Sequence, residues 1–185
     1  MRWMMMAASL REASHNKALV RAAAARAAAL DVEVDLAEFN AFDAPSYDGD
    51  RGEDVPPGVV AFKERLATAD GLVLSSPEYN YSMPGSFKNF YDWVSTIRPM
   101  PWRGLPVQLM CATVSQTGGR QGLQALRVPF DGCGAFVHPP QFILCGTHDA
   151  FDADGNLADP ALAERLDDTL RPFAAFCSAL RRVRS

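Results

Sequence analysis

Three short polar stretches carry the side chains that could do chemistry. They are Ser9-Leu10-Arg11-Glu12-Ala13-Ser14-His15-Asn16, Pro77-Glu78-Tyr79-Asn80 and Thr113-Val114-Ser115-Gln116-Thr117-Gly118-Gly119. The first sets hydroxyls, an amide and an arginine just ahead of a helical pattern. Free N–H groups and the positive end of a helix dipole make such a point an anion site. A guanidinium adds a planar charge suited to phosphate oxygens. Ordinary N-capping accounts for Ser14 or Asn16, but leaves Ser9 and Arg11 without a role. The second stretch offers closely spaced backbone groups, an aromatic ring and a carboxamide. That set suits a flat, hydrogen-bonding heterocycle better than a metal or a scissile bond. In the third, Gly118 and Gly119 permit close backbone approach to a ligand.

Other chemistries lack their residues. There is no Gly-x4-Gly-Lys-Ser/Thr loop, and no Gly-x-Gly-x-x-Gly follows the first strand. No cysteine nucleophile stands near Ser9, so the anion is expected to be held rather than cleaved. No Gly-x-Ser-x-Gly elbow exists. His15, His138 and His148 show no ligand spacing, so each is expected on the surface or in a loop. A phosphate at one loop and a flat ring between the other two favour flavin mononucleotide over ATP, for which no magnesium motif is visible.

The elements that must position these loops alternate along the chain. Residues 2–8 are apolar enough for a first strand, and the alanine-rich stretch 16–30 favours helix. Val32, Val34 and Leu36 alternate with Glu33 and Asp35, the pattern of a half-exposed strand near a sheet edge. A loop rich in Pro, Asp and Gly covers residues 39–58, and a helix follows over 59–69. The run Gly71-Leu72-Val73-Leu74-Ser75 predicts a buried strand, ending directly before the second polar stretch. Helix over 87–97, strand over 105–112, helix over 118–128 and a last strand over 135–137, continued by 142–144, complete the alternation. Pro160 begins a final helix with Leu162, Leu166, Leu170, Phe173 and Leu180 on one face, and Pro172 inside it should kink it. This order predicts an α/β fold: a doubly wound, flavodoxin-like sheet of five parallel strands in the order 2-1-3-4-5, with helices on both faces. All three polar stretches then emerge at the carboxyl edge of the sheet, where such folds bind ligands.

The 185 residues are expected to form one domain, and the 48% hydrophobic and 22% charged fractions are those of a soluble globular protein. A net charge of −4 argues against non-specific nucleic-acid binding. No apolar run reaches the roughly 20 residues of a membrane span, and the apolar stretch after Arg2 is too short for a signal peptide. Cys111, Cys133, Cys145 and Cys177 are dispersed, as expected of buried thiols in a reducing cytoplasm.

Four blocks together resemble the NADPH-dependent FMN reductase family, which includes quinone, chromate and azo-dye reductases. They are Ser-Leu-Arg-x-x-Ser-x-Asn from Ser9, Pro-Glu-Tyr-Asn-x-Ser-x-Pro-Gly from Pro77, Lys-Asn-x-x-Asp-Trp from Lys88, and the Gly118-Gly119 turn. The resemblance implies that Ser9, Arg11, Ser14 and Asn16, with His15 between them, hold the FMN phosphate. Pro77, Glu78, Tyr79 and Asn80 would line the isoalloxazine ring. Thr113, Ser115, Gly118 and Gly119 would close its far side. It further implies NADPH or NADH as co-substrate, a small-molecule electron acceptor, and a homodimer or homotetramer. No catalytic side chain and no metal are expected, because the flavin supplies the reactive atom. A flavodoxin-like electron carrier without NAD(P)H turnover is the alternative. The family usually has Gly where Ala8 stands, and a methyl there would tighten the phosphate loop if that residue needed positive φ. Serine is often found in place of Ala112, a role that Thr113 or Ser115 would take over.

Tyr81, Met83, Phe87, Phe90, Tyr91 and Trp93 crowd one short segment. One helix cannot turn all of them toward its own sheet. Some rings are therefore expected to project outward and mark an interface between copies, unless the 39–58 loop folds over them.

Overall fold

A computed structural model describes residues 1–42, 44–50 and 54–184, with side chains as far as residue 181. Asp43, Arg51, Gly52 and Glu53, all in the expected 39–58 loop, lie outside the described residues. The strands are β1 (Arg2–Ala7), β2 (Glu33–Ala37), β3 (Gly71–Ser75), β4 (Pro106–Ala112), β5 (Phe136–Val137) and β6 (Phe142–Leu144). The helices are α1 (His15–Ala28), α2 (Pro57–Ala67), α3 (Gly85–Thr96), α4 (Arg120–Gly132) and α5 (Pro160–Arg184). All pairings are parallel, in the order β2-β1-β3-β4-β5, and β6 pairs the carboxyl half of β4. The fold is flavodoxin-like, with its fifth strand split in two.

Period-two alternation sends each strand's side chains to opposite faces. Met4 and Met6 of β1 join Leu72, Leu74, Val107 and Leu109 in one core layer, covered by Phe62 of α2, Phe90 of α3 and Leu123 of α4. Trp3 and Met5 join Val73 and Met110 in the other, under Leu19 and Ala23 of α1 and Leu166 and Phe173 of α5. The small alanines of α1 let it lie close to the sheet. Helix α5 runs on through Pro172, which sits on its exposed side.

The rings of α3 do not project outward, which corrects the expectation above. Phe87, Phe90, Tyr91 and Trp93 are all buried. The preceding loop folds over them: Phe39 and Phe42 pack on Phe90, and Tyr47 packs edge-on to Trp93. Polar bonds fasten that cover. Trp93 Nε1 donates to the Pro45 carbonyl at 2.7 Å, and the Tyr47 N–H donates to Asn89 Oδ1 at 2.8 Å. Of the segment, only Tyr81 stands fully in solvent.

β2 is the half-exposed edge strand that the alternation implies. In β2, Leu36 is exposed while Asp35 turns inward, because Asp35 is paired with Arg65 and Arg2. His138 lies in a loop, as expected, and is buried there, with its Nδ1 2.6 Å from Oε1 of the buried Gln108. The Gln108 amide also donates to the Pro140 carbonyl at 2.9 Å, and Arg127 donates to the His138 carbonyl at 2.7 Å. These contacts occupy the gap between β5 and β6. With Pro139 and Pro140 they leave little edge for another strand to pair with.

Candidate functional site

The β1–α1 connection leaves the sheet at Ala8, whose N–H bonds the Ser75 carbonyl at 2.8 Å. Among described residues other than glycine, positive φ occurs only at Asp31, Asn80 and Tyr81. Ala8 therefore needs no glycine-like backbone, and its methyl is accommodated in the core. Ser14 stands at the N-cap of α1 in extended conformation, and no side chain caps the helix. The first-turn N–H groups of α1 are thus left free for a ligand. Among the described residues, the Ser9 and Ser14 hydroxyls and the Arg11 guanidinium have no hydrogen-bond or ion-pair partner.

After β3, Tyr79 and Ser82 exchange both backbone bonds, at 2.9 and 3.1 Å, around Asn80 (φ 50°) and Tyr81 (φ 63°). Two left-handed central residues make this a type I′ turn. Asparagine tolerates that conformation; for tyrosine it costs about 1–2 kcal/mol. Pro77 and Pro84 bracket the turn. After β4, residues 113–119 lead into α4 through Gly119 at φ 98°, where a β-carbon would meet Cys111 Sγ at 2.8 Å.

These three loops meet around one cavity of about 170 Å³. Ser9, Arg11, Ser14, His15, Asn16, Pro77, Glu78, Tyr79 and Thr113 line it, together with Ala112 and Val114. Asn80, Ser115, Gly118 and Gly119 are not part of the lining. Gly119 is packed against Cys111 and Ile143 beneath the loop. Ala112 and Val114 were not expected to line the site, because neither carries a polar group; they reach the cavity because β4 ends there.

Two side chains cross-link the loops. The buried Asn16 donates from Nδ2 to the Ala112 carbonyl at 2.8 Å, and its Oδ1 accepts from the Ala112 N–H at 2.9 Å and from the Ser75 hydroxyl at 2.8 Å. Its amide is thus largely occupied in joining α1 to the ends of β3 and β4. Glu78 Oε2 accepts from the Gly122 N–H at 2.8 Å, joining the second loop to α4. From outside, Asn40 donates to the Leu10 carbonyl at 3.3 Å, and Lys17 pairs with Glu38 at 3.1 Å beside it.

The donor set fits a phosphate monoester: a helix amino end, two hydroxyls and an unpaired guanidinium, with no carboxylate bonded to any of them. Tyr79, at the start of the adjoining turn, adds an aromatic ring to the lining. The class is a flavodoxin-like α/β fold whose carboxyl edge carries donors suited to a phosphate-bearing ligand.

The comparisons narrow that class. The chain matches the NADPH-dependent FMN reductase family over residues 1–149. It is 32% identical over 181 residues to an NAD(P)H-dependent FMN reductase of Pseudomonas aeruginosa, covering 94% of this chain and 93% of that one. It is 32% identical over 177 residues to a quinone reductase of Escherichia coli K12, with the same coverage. Among solved structures, the FerB flavoenzyme NAD(P)H:(acceptor) oxidoreductase of Paracoccus denitrificans superposes with a TM-score of 0.84 at 25% identity, over 96% of this chain and 97% of that one. The chain belongs to the NADPH-dependent FMN reductase family.

Proposed function

We propose that this chain, as one flavodoxin-like domain over residues 1–185, is an FMN-dependent NAD(P)H oxidoreductase that passes electrons to a quinone or similar small acceptor. The observation that carries the reading is the convergence of three loops on one cavity with free phosphate-type donors at its α1 end. Ser9, Ser14, Arg11 and the α1 amino end hold the phosphate. His15 and Asn16 shape that end of the cavity. Pro77, Glu78 and Tyr79 form the floor for the ring, with the Asn80–Tyr81 turn at its margin, and Ala112, Thr113 and Val114 wall the far side. FMN held there would supply two-electron transfer between NADPH or NADH and the acceptor. The protein's share is binding, orientation and electrostatics.

With loop residues on one side of a ring held there, donor and acceptor would share the other side in turn. Steady-state oxidation of NADPH by a quinone is therefore expected to give parallel double-reciprocal lines. Flavin-stripped protein is expected to be inactive until FMN is restored. Intersecting lines would contradict the shared side, and FMN binding without NAD(P)H oxidation would mark an electron carrier instead.

A second copy of the chain is the proposed partner, as a homodimer or homotetramer. The support is a set of exposed apolar side chains on the site's loops: Tyr79 (44%) and Val114 (50%) in the cavity lining, and Leu10 (52%) and Tyr81 (79%) next to it in the chain. Light scattering at micromolar concentration is expected to give a dimer or tetramer mass, and the 20.2 kDa of one chain would contradict it. No helix among the described residues is long and apolar enough to cross a membrane. The four free cysteines agree with a cytoplasmic location.

A further inference from the structure

Helix α4 begins without the usual polar start. Its N-cap, Gly119, has no side chain to offer, and its first turn contains no acidic residue. The missing partner arrives from 44 positions away, as Glu78 Oε2 on the Gly122 N–H at 2.8 Å. The approach is close enough that a side chain at residue 122 would push Glu78 aside. A β-carbon there would lie 3.0 Å from the Glu78 β-carbon and 3.2 Å from its α-carbon. Gly122 therefore lets the second loop rest directly on α4, and the carboxylate fastens it there.

Position gives this contact a consequence beyond stability. Glu78 lines the cavity beside Tyr79 and immediately precedes the strained turn. Helix α4 immediately follows the third loop. The one hydrogen bond thus ties together the two loops between which the ring is held. The same carboxylate places a negative charge at the wall of the cavity. Its influence reaches Cys111, whose thiol is pushed up to about 12, first by burial and then by the Glu78 charge.

Resting on the FMN reading above, we propose that Glu78 is a positioning residue with two separable effects. Its hydrogen bond to Gly122 holds the ring-binding loop against α4, and its charge disfavours the more negative, reduced form of FMN. Backbone donors around the ring favour the reduced form. An opposing carboxylate keeps the flavin from being trapped in that state, so that electrons move on to the acceptor.

Two substitutions separate the effects. Glu78→Gln keeps an oxygen acceptor for Gly122 but removes the charge. Glu78→Ala removes both. The readouts are FMN titration of flavin-stripped protein, the midpoint potential of the loaded protein, and exchange of the Gly122 N–H in the flavin-free chain. Glu78→Gln, because it keeps the Gly122 contact, is expected to lose less affinity for oxidised FMN than Glu78→Ala. Its preference for reduced over oxidised FMN should rise about tenfold, the order expected for a unit charge acting across roughly 10 Å near a protein surface. For a two-electron couple that is a positive shift of about 30 mV. Glu78→Ala is expected to bind oxidised FMN about tenfold more weakly, as for loss of one charge-assisted hydrogen bond, and to exchange Gly122 faster before any flavin is added. An unchanged potential in Glu78→Gln would overturn the charge effect. Unchanged FMN affinity and Gly122 exchange in Glu78→Ala would overturn the fastening. Failure of the unaltered chain to bind FMN would instead remove the FMN reading itself.

Discussion

Asn16→Ala is expected to destabilise the flavin-free protein by about 2–5 kcal/mol. The Asn16 amide satisfies both the N–H and the carbonyl of Ala112 and receives the Ser75 hydroxyl, all inside the buried junction of α1, β3 and β4. Alanine leaves the two Ala112 groups without partners, and each unpaired buried group costs about 1–3 kcal/mol. That is a large share of the roughly 5–15 kcal/mol total stability of a domain. Urea denaturation reads the effect as a lower midpoint at unchanged slope. FMN affinity should fall as well, because the amide fixes the distance between the phosphate loop and the wall formed by β4. Stability within about 0.5 kcal/mol of the unaltered protein, the range of ordinary surface substitutions, would show that the bridge contributes little.

Arg11→Ala is expected to leave the fold intact and weaken FMN binding by roughly ten- to a hundred-fold. Among the described residues Arg11 makes no ion pair, so its removal disturbs no internal contact. A charge-assisted hydrogen bond to the phosphate is worth about 1.5–3 kcal/mol, and each 1.4 kcal/mol is about a factor of ten in affinity. The loss should be confined to phosphorylated flavin: riboflavin affinity should not change. An unchanged FMN dissociation constant would show that Arg11 points elsewhere.

The alternation of strand and helix, the strand order and the place of the three loops were all legible in the sequence. Each rests on local periodicity, and the connection rules of parallel sheets restrict the rest. What escaped depends on partners distant in the chain. Asn16 has the spacing of a phosphate ligand, but its amide meets Ala112, 96 positions away. Glu78 was expected only to line the ring; nothing local announces that its carboxylate reaches the Gly122 N–H at the start of α4. The aromatic run of α3 suggested an exposed patch because the residues that cover it, Phe39, Phe42 and Tyr47, lie in a stretch with no regular period. Gly118 and Gly119 carried the composition of a ligand loop. At Gly119 the requirement is instead a left-handed turn packed against Cys111.

The account's central claim is that the α1 end of the cavity holds the phosphate of FMN. Parallel titrations of flavin-stripped protein with FMN and with riboflavin test it most directly. The donor set of Arg11, Ser9, Ser14 and the α1 amino end predicts FMN binding tighter by a hundredfold or more, about 3 kcal/mol. Equal affinity for the two flavins would contradict it, because the phosphate would then contribute nothing and the convergence of the three loops would need another explanation.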